Sequence, residues 1–170
     1  MTITELQSKD KSGVMSLFRS VKTNLRRQGI KQWDWLYPNG LVIGSDLRSR
    51  NSFGIVRDGR VVAAIVLDAK QSSKYAKLDW ADKQGRPACI HRLAVHPDYQ
   101  GQGLGKQLLR FAESLAGRRG YSSIRLDVYT ENPGAVGMYS RAGYRQVGKI
   151  EFPFRQAPYL CFEKLLQAEG

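Results

Sequence analysis

The chain has 170 residues, enough for one domain with a real core, and its 42% hydrophobic and 25% charged residues are ordinary for a globular fold. No apolar run is long enough to span a bilayer, and the opening MTITELQSKDKSG lacks the apolar stretch of a signal peptide, so no membrane partner is expected and the cytoplasm is the expected compartment. A formal net charge of +12 suits a polyanionic partner or a solvated basic surface, but Lys and Arg are scattered and form no basic tail, so nucleic acid is not the expected ligand.

Ile3 to Leu6 reads as a short first strand. With Asp10 as N-cap, the apolar spacing of Val14, Leu17, Phe18, Val21 and Leu25 predicts a helix ending near Gly29. The aromatic, turn-rich QWDWLYPNG follows, then a short helix from about Leu41 to Arg48. Phe53 to Leu67 predicts a hairpin turning at Asp58-Gly59. Ser72 to Pro87 is polar and reads as a long connection, with Leu78 and Trp80 able to add a strand end. Cys89 to Val95 is an apolar central strand. Leu104, Leu108, Leu109, Phe111, Ala112 and Leu115 give the next helix its apolar face, and Gly117 and Gly120 mark its end. Ile124, Leu126 and Val128 mark another strand. Pro133 opens a short helix that stops at Gly143, and two strands close the chain, over 147–152 and 159–165. The order is a mixed α/β domain over residues 1–170. Its first half is antiparallel, and a parallel strand–helix–strand unit surrounds the glycine-rich loop, with a right-handed crossover. Cys89 and Cys161 lie in separate apolar strands and read as buried free thiols. With His91 and His96 they form no metal-ligand spacing, and no metal is expected.

The loop itself, HPDYQGQGLGKQLL, has glycines at 101, 103 and 105 between a strand and a helix. The first turn of a helix has unpaired N–H groups and the positive end of the macrodipole, and glycines let the backbone approach an anion closely. A Walker loop is excluded because Gly105-Lys106 is followed by Gln107 and Gln100 stands where the first glycine belongs. A dinucleotide fingerprint is excluded because the spacing is Gly-x-Gly-x-Gly.

Two segments carry a family pattern. Gln100 to Gly105 matches a Gln/Arg-x-x-Gly-x-Gly/Ala loop, and Asn132-Pro-Gly-Ala-Val-Gly-Met-Tyr139 with Gly143-Tyr144 matches Asn-x-x-Ala-x-x-x-Tyr followed by Gly-Phe/Tyr. In this order and separation they resemble the GNAT family of N-acetyltransferases, sharply from about Cys89 to Tyr144 and in pattern elsewhere. The resemblance implies a mostly antiparallel sheet of six to seven strands. About four helices flank it, and a parallel pair splays apart at its centre. It also implies acetyl-CoA as co-substrate and an amine acceptor on a small molecule or a protein. On this reading Gln100, Gly101, Gln102, Gly103, Leu104, Gly105 and Lys106 receive the pyrophosphate. Main-chain groups of Leu93, Ala94 and Val95 pair with the pantetheine arm, helped by Asn132 and Ala135. The Val95 N–H becomes an oxyanion donor.

The chemistry needs a proton removed from the amine and one returned to the departing thiolate. Tyr139 is the candidate acid, and either Asp127 or His91 is the candidate base. Asp127 alternates with Leu126 and Val128, while His91 shares a strand face with Leu93 and Val95. A carboxylate at 127 can alternatively pair with Arg125 or Arg92, and His91 can be a hydrogen-bonded core residue. Trp33, Asp34, Trp35, Tyr37 and Trp80 are candidate walls of the acceptor pocket, as is the segment Phe152 to Phe154. A non-catalytic acyl-CoA-binding or ribosome-associated module of the same fold is the alternative, and either a monomer or a homodimer fits.

Overall fold

The structure, a computed structural model, describes residues 2–34 and 37–167. It contains four helices, α1 Lys11–Arg27, α2 Gly40–Arg48, α3 Leu104–Arg118 and α4 Pro133–Arg141. Seven strands form one sheet, β1 Thr4–Glu5, β2 Ser52–Arg57, β3 Arg60–Asp68, β4 Pro87–Val95, β5 Ser123–Tyr129, β6 Arg145–Ile150 and β7 Tyr159–Leu165. The sheet order is β1-β2-β3-β4-β5-β7-β6. The pairs β1/β2, β2/β3, β5/β7 and β6/β7 are antiparallel. β4 and β5 are parallel, in the register Pro87↔Ser123, Ala88↔Ile124, Cys89↔Arg125. The mixed, mostly antiparallel architecture with one parallel pair is the one the sequence predicts.

The chain forms two compact units, Met1–Leu67 with His91–Phe111 and Asp68–Ile90 with Ala112–Gly170. The first is built on α1. Val14, Leu17, Phe18 and Val21 are buried together with Leu6, Ile43, Leu47, Val61, Ala64 and Ala94, as the helical spacing requires. Asp10 stands at the N-cap of α1 as expected, but its side chain does not cap that helix. Its carboxylate accepts from the Gln7 N–H at 2.8 Å and closes a 3-10 turn, Ser8–Asp10, ahead of the helix. Asn39 is the side-chain cap of α2, accepting from Leu41 and Val42. Asp58 and Gly59 both have positive φ, 49° and 75°, the geometry of a two-residue hairpin turn.

The second unit has an aromatic core. Tyr129 and Tyr159 lie 5.2 Å apart between ring centres, and Tyr139 packs against Tyr144 and Phe162. The polar stretch after β3 is not structureless. Ser73–Lys77 is a 3-10 turn capped by Ser72, and it buries Tyr75. No strand forms at Leu78 or Trp80; the Trp80 indole instead donates to the Tyr75 carbonyl at 2.7 Å. α3 runs through Gly117 to Arg118, and Gly120, with φ 78°, follows its end. Cys89 and Cys161 are buried and free. Burial pushes both thiols up, Cys161 to about 12.

Candidate active site

In the first unit β4 leads into a 3-10 turn, Pro97–Tyr99, and then into the glycine loop. Two hydrogen bonds fix this exit: the His96 N–H donates to the Val62 carbonyl at 2.8 Å, and Gln100 Nε2 donates to the Val95 carbonyl at 3.2 Å. Gly101 and Gly103 have φ of 76° and 79°, and a Cβ on either would meet nothing within 4 Å. Open space on that side of the loop, free N–H groups in the first turn of α3, and an exposed Lys106 fit a phosphorylated ligand. Arg57 of β2 supports the loop from the side, donating to Gln102 Oε1 at 3.2 Å and lying 5.2 Å from the Tyr99 ring centre. The sequence did not single out Arg57, because 45 residues separate it from its partner.

β4 does not alternate evenly. Arg92 has a φ of 49°, a left-handed conformation inside the strand. The simple alternation that puts His91 on the face of Leu93 and Val95 therefore does not carry across residue 92. All three side chains, and that of Arg92, are half-buried. The Arg92 guanidinium explains how the bend is held. It donates to both carboxylate oxygens of Asp46 on α2, at 2.8 and 2.6 Å, and to the Tyr37 hydroxyl at 2.9 Å. Two charge-assisted bonds in a fork are strong enough to offset the left-handed backbone.

The predicted acceptor-pocket residues have distinct places. Trp33 packs on the apolar core with its ring 5.4 Å from Phe18. Asp34 and Tyr37 close a turn, the Tyr37 N–H donating to Asp34 Oδ1 at 2.9 Å. Trp35 lies outside the described residues. In the second unit Trp80 is 5% exposed and belongs to the core, its ring covered by the Arg125 guanidinium at 4.5 Å. Phe152 packs edge-on against Tyr159, and Phe154 is fully exposed.

The second unit also holds the predicted acid and one predicted base. Asn132 caps α4, its Oδ1 accepting from the Ala135 N–H at 3.3 Å, and this cap starts the helix that presents Tyr139. Tyr139 is 6% exposed, and its hydroxyl has no hydrogen-bond partner among the described residues. Burial, and then the charge of Asp127, hold its phenol well above the ordinary tyrosine value. Asp127 of β5 is half-buried, opposite Cys161 of β7. It accepts from the Tyr75 hydroxyl at 2.5 Å. The two arginines weighed as its partners are engaged elsewhere: Arg92 with Asp46, and Arg125 with Gln71 and the Asp82 carbonyl, at 2.8 and 2.6 Å. Tyr75 lies 52 residues from Asp127, and its only sequence signal was an aromatic residue in an otherwise polar run.

No helix of the described residues is long and apolar enough to cross a membrane, and no group of three or more His, Cys, Asp and Glu side chains among them can hold a metal ion. Residues 17–144 match the family model of the acetyltransferase (GNAT) family. The chain is 30% identical over 154 residues to the uncharacterized N-acetyltransferase YesJ of Bacillus subtilis, covering 85% of this chain and 79% of that protein. It is 36% identical over 59 residues to the [ribosomal protein bS18]-alanine N-acetyltransferase of Escherichia coli, covering 35% of this chain and 40% of the relative. A crystal structure of a GNAT-family acetyltransferase from Streptococcus agalactiae superposes with a TM-score of 0.83 at 19% identity, over 98% of this chain and 95% of that one. With the family model across most of its length and the same mixed sheet, this chain belongs to the GNAT acetyltransferase family and is an N-acetyltransferase.

Proposed function

We propose that the chain transfers the acetyl group of acetyl-CoA to a primary amine, with residues 1–170 acting as a single catalytic domain. The observation that carries this is the glycine loop, where an open backbone at 101 and 103 precedes a helix start beside Lys106. Gln100 to Lys106 receive the pyrophosphate there, and the Leu93 to Val95 main chain receives the pantetheine arm. Asn132 keeps its capping role, and on this reading its amide nitrogen helps hold the arm, with Ala135. When bound, acetyl-CoA supplies a thioester open to attack by the amine.

The remaining work falls to the chain's own side chains. The Val95 N–H donates to the oxygen on which charge develops. Tyr139, held protonated at neutral pH, donates toward the departing sulfur. Asp127 accepts the amine proton, with His91 as the other candidate. Asp34 and Tyr37 contribute to the acceptor wall on the first unit. The relative named [ribosomal protein bS18]-alanine N-acetyltransferase supports a protein amine, at an N-terminus or on a lysine, as one acceptor class, with small amines the other. Two buried free thiols suit a reducing compartment, which supports the cytoplasm.

The test follows release of free thiol from acetyl-CoA against a panel of amines and peptides with free N-termini, with thermal shift as the binding readout. Acetyl-CoA raises the melting temperature of the wild-type protein, and Gly103→Asp abolishes the shift by placing bulk and negative charge on the loop. A folded Gly103→Asp protein that binds acetyl-CoA as tightly as wild type removes the loop from the cofactor site. Turnover with no amine in the panel, despite binding, favours the non-catalytic acyl-CoA-binding reading.

A further inference from the structure

Tyr75 is held at several points in the second unit. Its N–H donates to the Ser72 carbonyl at 3.0 Å at the start of the 3-10 turn, and the Tyr75 carbonyl accepts from Trp80 Nε1 at 2.7 Å. Its ring lies 5.1 Å from that of Trp80, and the residue is 3% exposed. Trp80 is clamped in turn by Arg125, which belongs to β5 and precedes Asp127 by two residues. β5 thus holds the segment after the turn through Arg125, at Trp80 and the Asp82 carbonyl, and the turn returns a hydroxyl to β5 at Asp127.

We infer that Tyr75 is the positioning residue of Asp127, fixing the orientation of its carboxylate and keeping it ionised for removal of the acceptor proton. This rests on the reading of Asp127 as base. A buried phenol cannot rotate away without breaking the turn, so Oδ2 is committed to Tyr75 and the plane of the carboxylate is set. A hydrogen bond donated to the charged form favours that form. Other titratable groups that feel the Asp127 charge include Cys89 on β4, Tyr139 on α4, and Tyr159 and Cys161 on β7, all weak acids that are neutral at pH 7. Tyr75, by contrast, donates a direct hydrogen bond to the carboxylate.

The experiment labels aspartate carboxyl carbons with carbon-13 and titrates the Asp127 signal, assigned by its loss in Asp127→Asn. Tyr75→Phe keeps the ring and its packing on Trp80 and removes one hydroxyl. Its Asp127 midpoint should lie about one pH unit higher than in wild type. The acidic limb of kcat/KM, for the fastest amine of the panel, should move by the same amount while the KM for acetyl-CoA stays unchanged. Trp80→Phe serves as the packing control: it loosens the turn, lowers the melting temperature, and should shift the midpoint less than Tyr75→Phe does. An unmoved midpoint in folded Tyr75→Phe overturns the positioning role while leaving Asp127 as base. Full turnover with an unaltered pH profile in folded Asp127→Asn overturns the base reading itself, and the positioning role with it.

Discussion

The two units solve different problems with polar groups. In the first, an apolar core carries a loop that offers exposed backbone: Gly101 and Gly103 face open space, and the half-buried Arg92 of β4 is matched by Asp46 in a fork. In the second, the core itself is polar. Tyr75, Cys89, Tyr139, Tyr144, Tyr159 and Cys161 are buried weak acids, all held above their ordinary values chiefly by loss of solvent. A ligand's phosphates need only donors and room, which main chain supplies. Moving protons needs side chains whose affinity for a proton has been altered, and burial does that.

The sharpest way to break the comparison is Tyr139→Phe. If the second unit does the proton chemistry, turnover should fall by roughly 10²–10⁴-fold while acetyl-CoA affinity changes little, as for loss of a general acid. Tyr144→Phe is the control, since that hydroxyl already donates to Glu113 at 3.2 Å. Loss of turnover confined to Tyr144→Phe would move the acid from one tyrosine to the other.

Arg92→Ala comes next. It leaves Asp46 without its partner where both side chains are only 12–14% exposed. Removing one member of a buried pair costs about 3 kcal/mol, and urea unfolding measures it. Asp46→Asn should cost less, because an amide oxygen still accepts from the guanidinium. Equal losses for the two variants would mean that the ionic character of the fork is unimportant.

The same residue marks where the sequence stopped being legible. Patterns within a few residues were readable: the α1 face from Val14 to Val21, the Asp58-Gly59 turn, and the strand–loop–helix around Gly101 to Gly105. The pattern from Asn132 to Tyr139 was readable because one helix fixes their spacing. Arg92 gave no local hint of a left-handed backbone. An arginine adopts it here because a carboxylate 46 residues away holds the side chain. Tyr75 was passed over for the same reason, since a polar segment is folded into a turn by Trp80 and by bonds to β5 and β7. The Glu163 carboxylate, for example, accepts from the N–H groups of Ala81 and Asp82. Trp80 looked like a pocket wall because an aromatic residue in a polar run signals burial or binding equally.

Gly103→Ala tests the first unit more gently. The added methyl meets nothing within 4 Å, so any cost comes from the φ of 79° alone. A left-handed non-glycine residue costs about 1–2 kcal/mol, which chemical denaturation should register. If the loop instead relaxes to negative φ, stability is kept and acetyl-CoA binding weakens. Unchanged stability together with unchanged binding would show that the glycine conformation serves neither.

The smallest effect concerns alkaline pH, and it separates the units directly. The six buried weak acids, and Tyr129 with them, have folded values above their unfolded ones, so the folded state keeps protons that the unfolded state releases. Their contribution to stability is complete below the unfolded values, ordinarily 9.0 for the thiols and 10.0 for the phenols, and is lost as pH rises from there. Between pH 7 and 9 only the two thiols respond appreciably, and the fall in unfolding free energy should be about 1 kcal/mol. It should steepen above pH 10 as the tyrosines join. Cys161, pushed up to about 12 by burial and by Asp127, is the cleaner probe. Cys161→Ala removes one titrating group and should roughly halve the fall up to pH 9 once its cavity cost is subtracted at pH 7. Amide exchange should show β5 and β7 losing protection with rising pH before β2 and β3. Equal loss in both sets of strands would mean that the titrating core and the apolar one open as a single cooperative body, so that the chemical division between the units is not a division in stability.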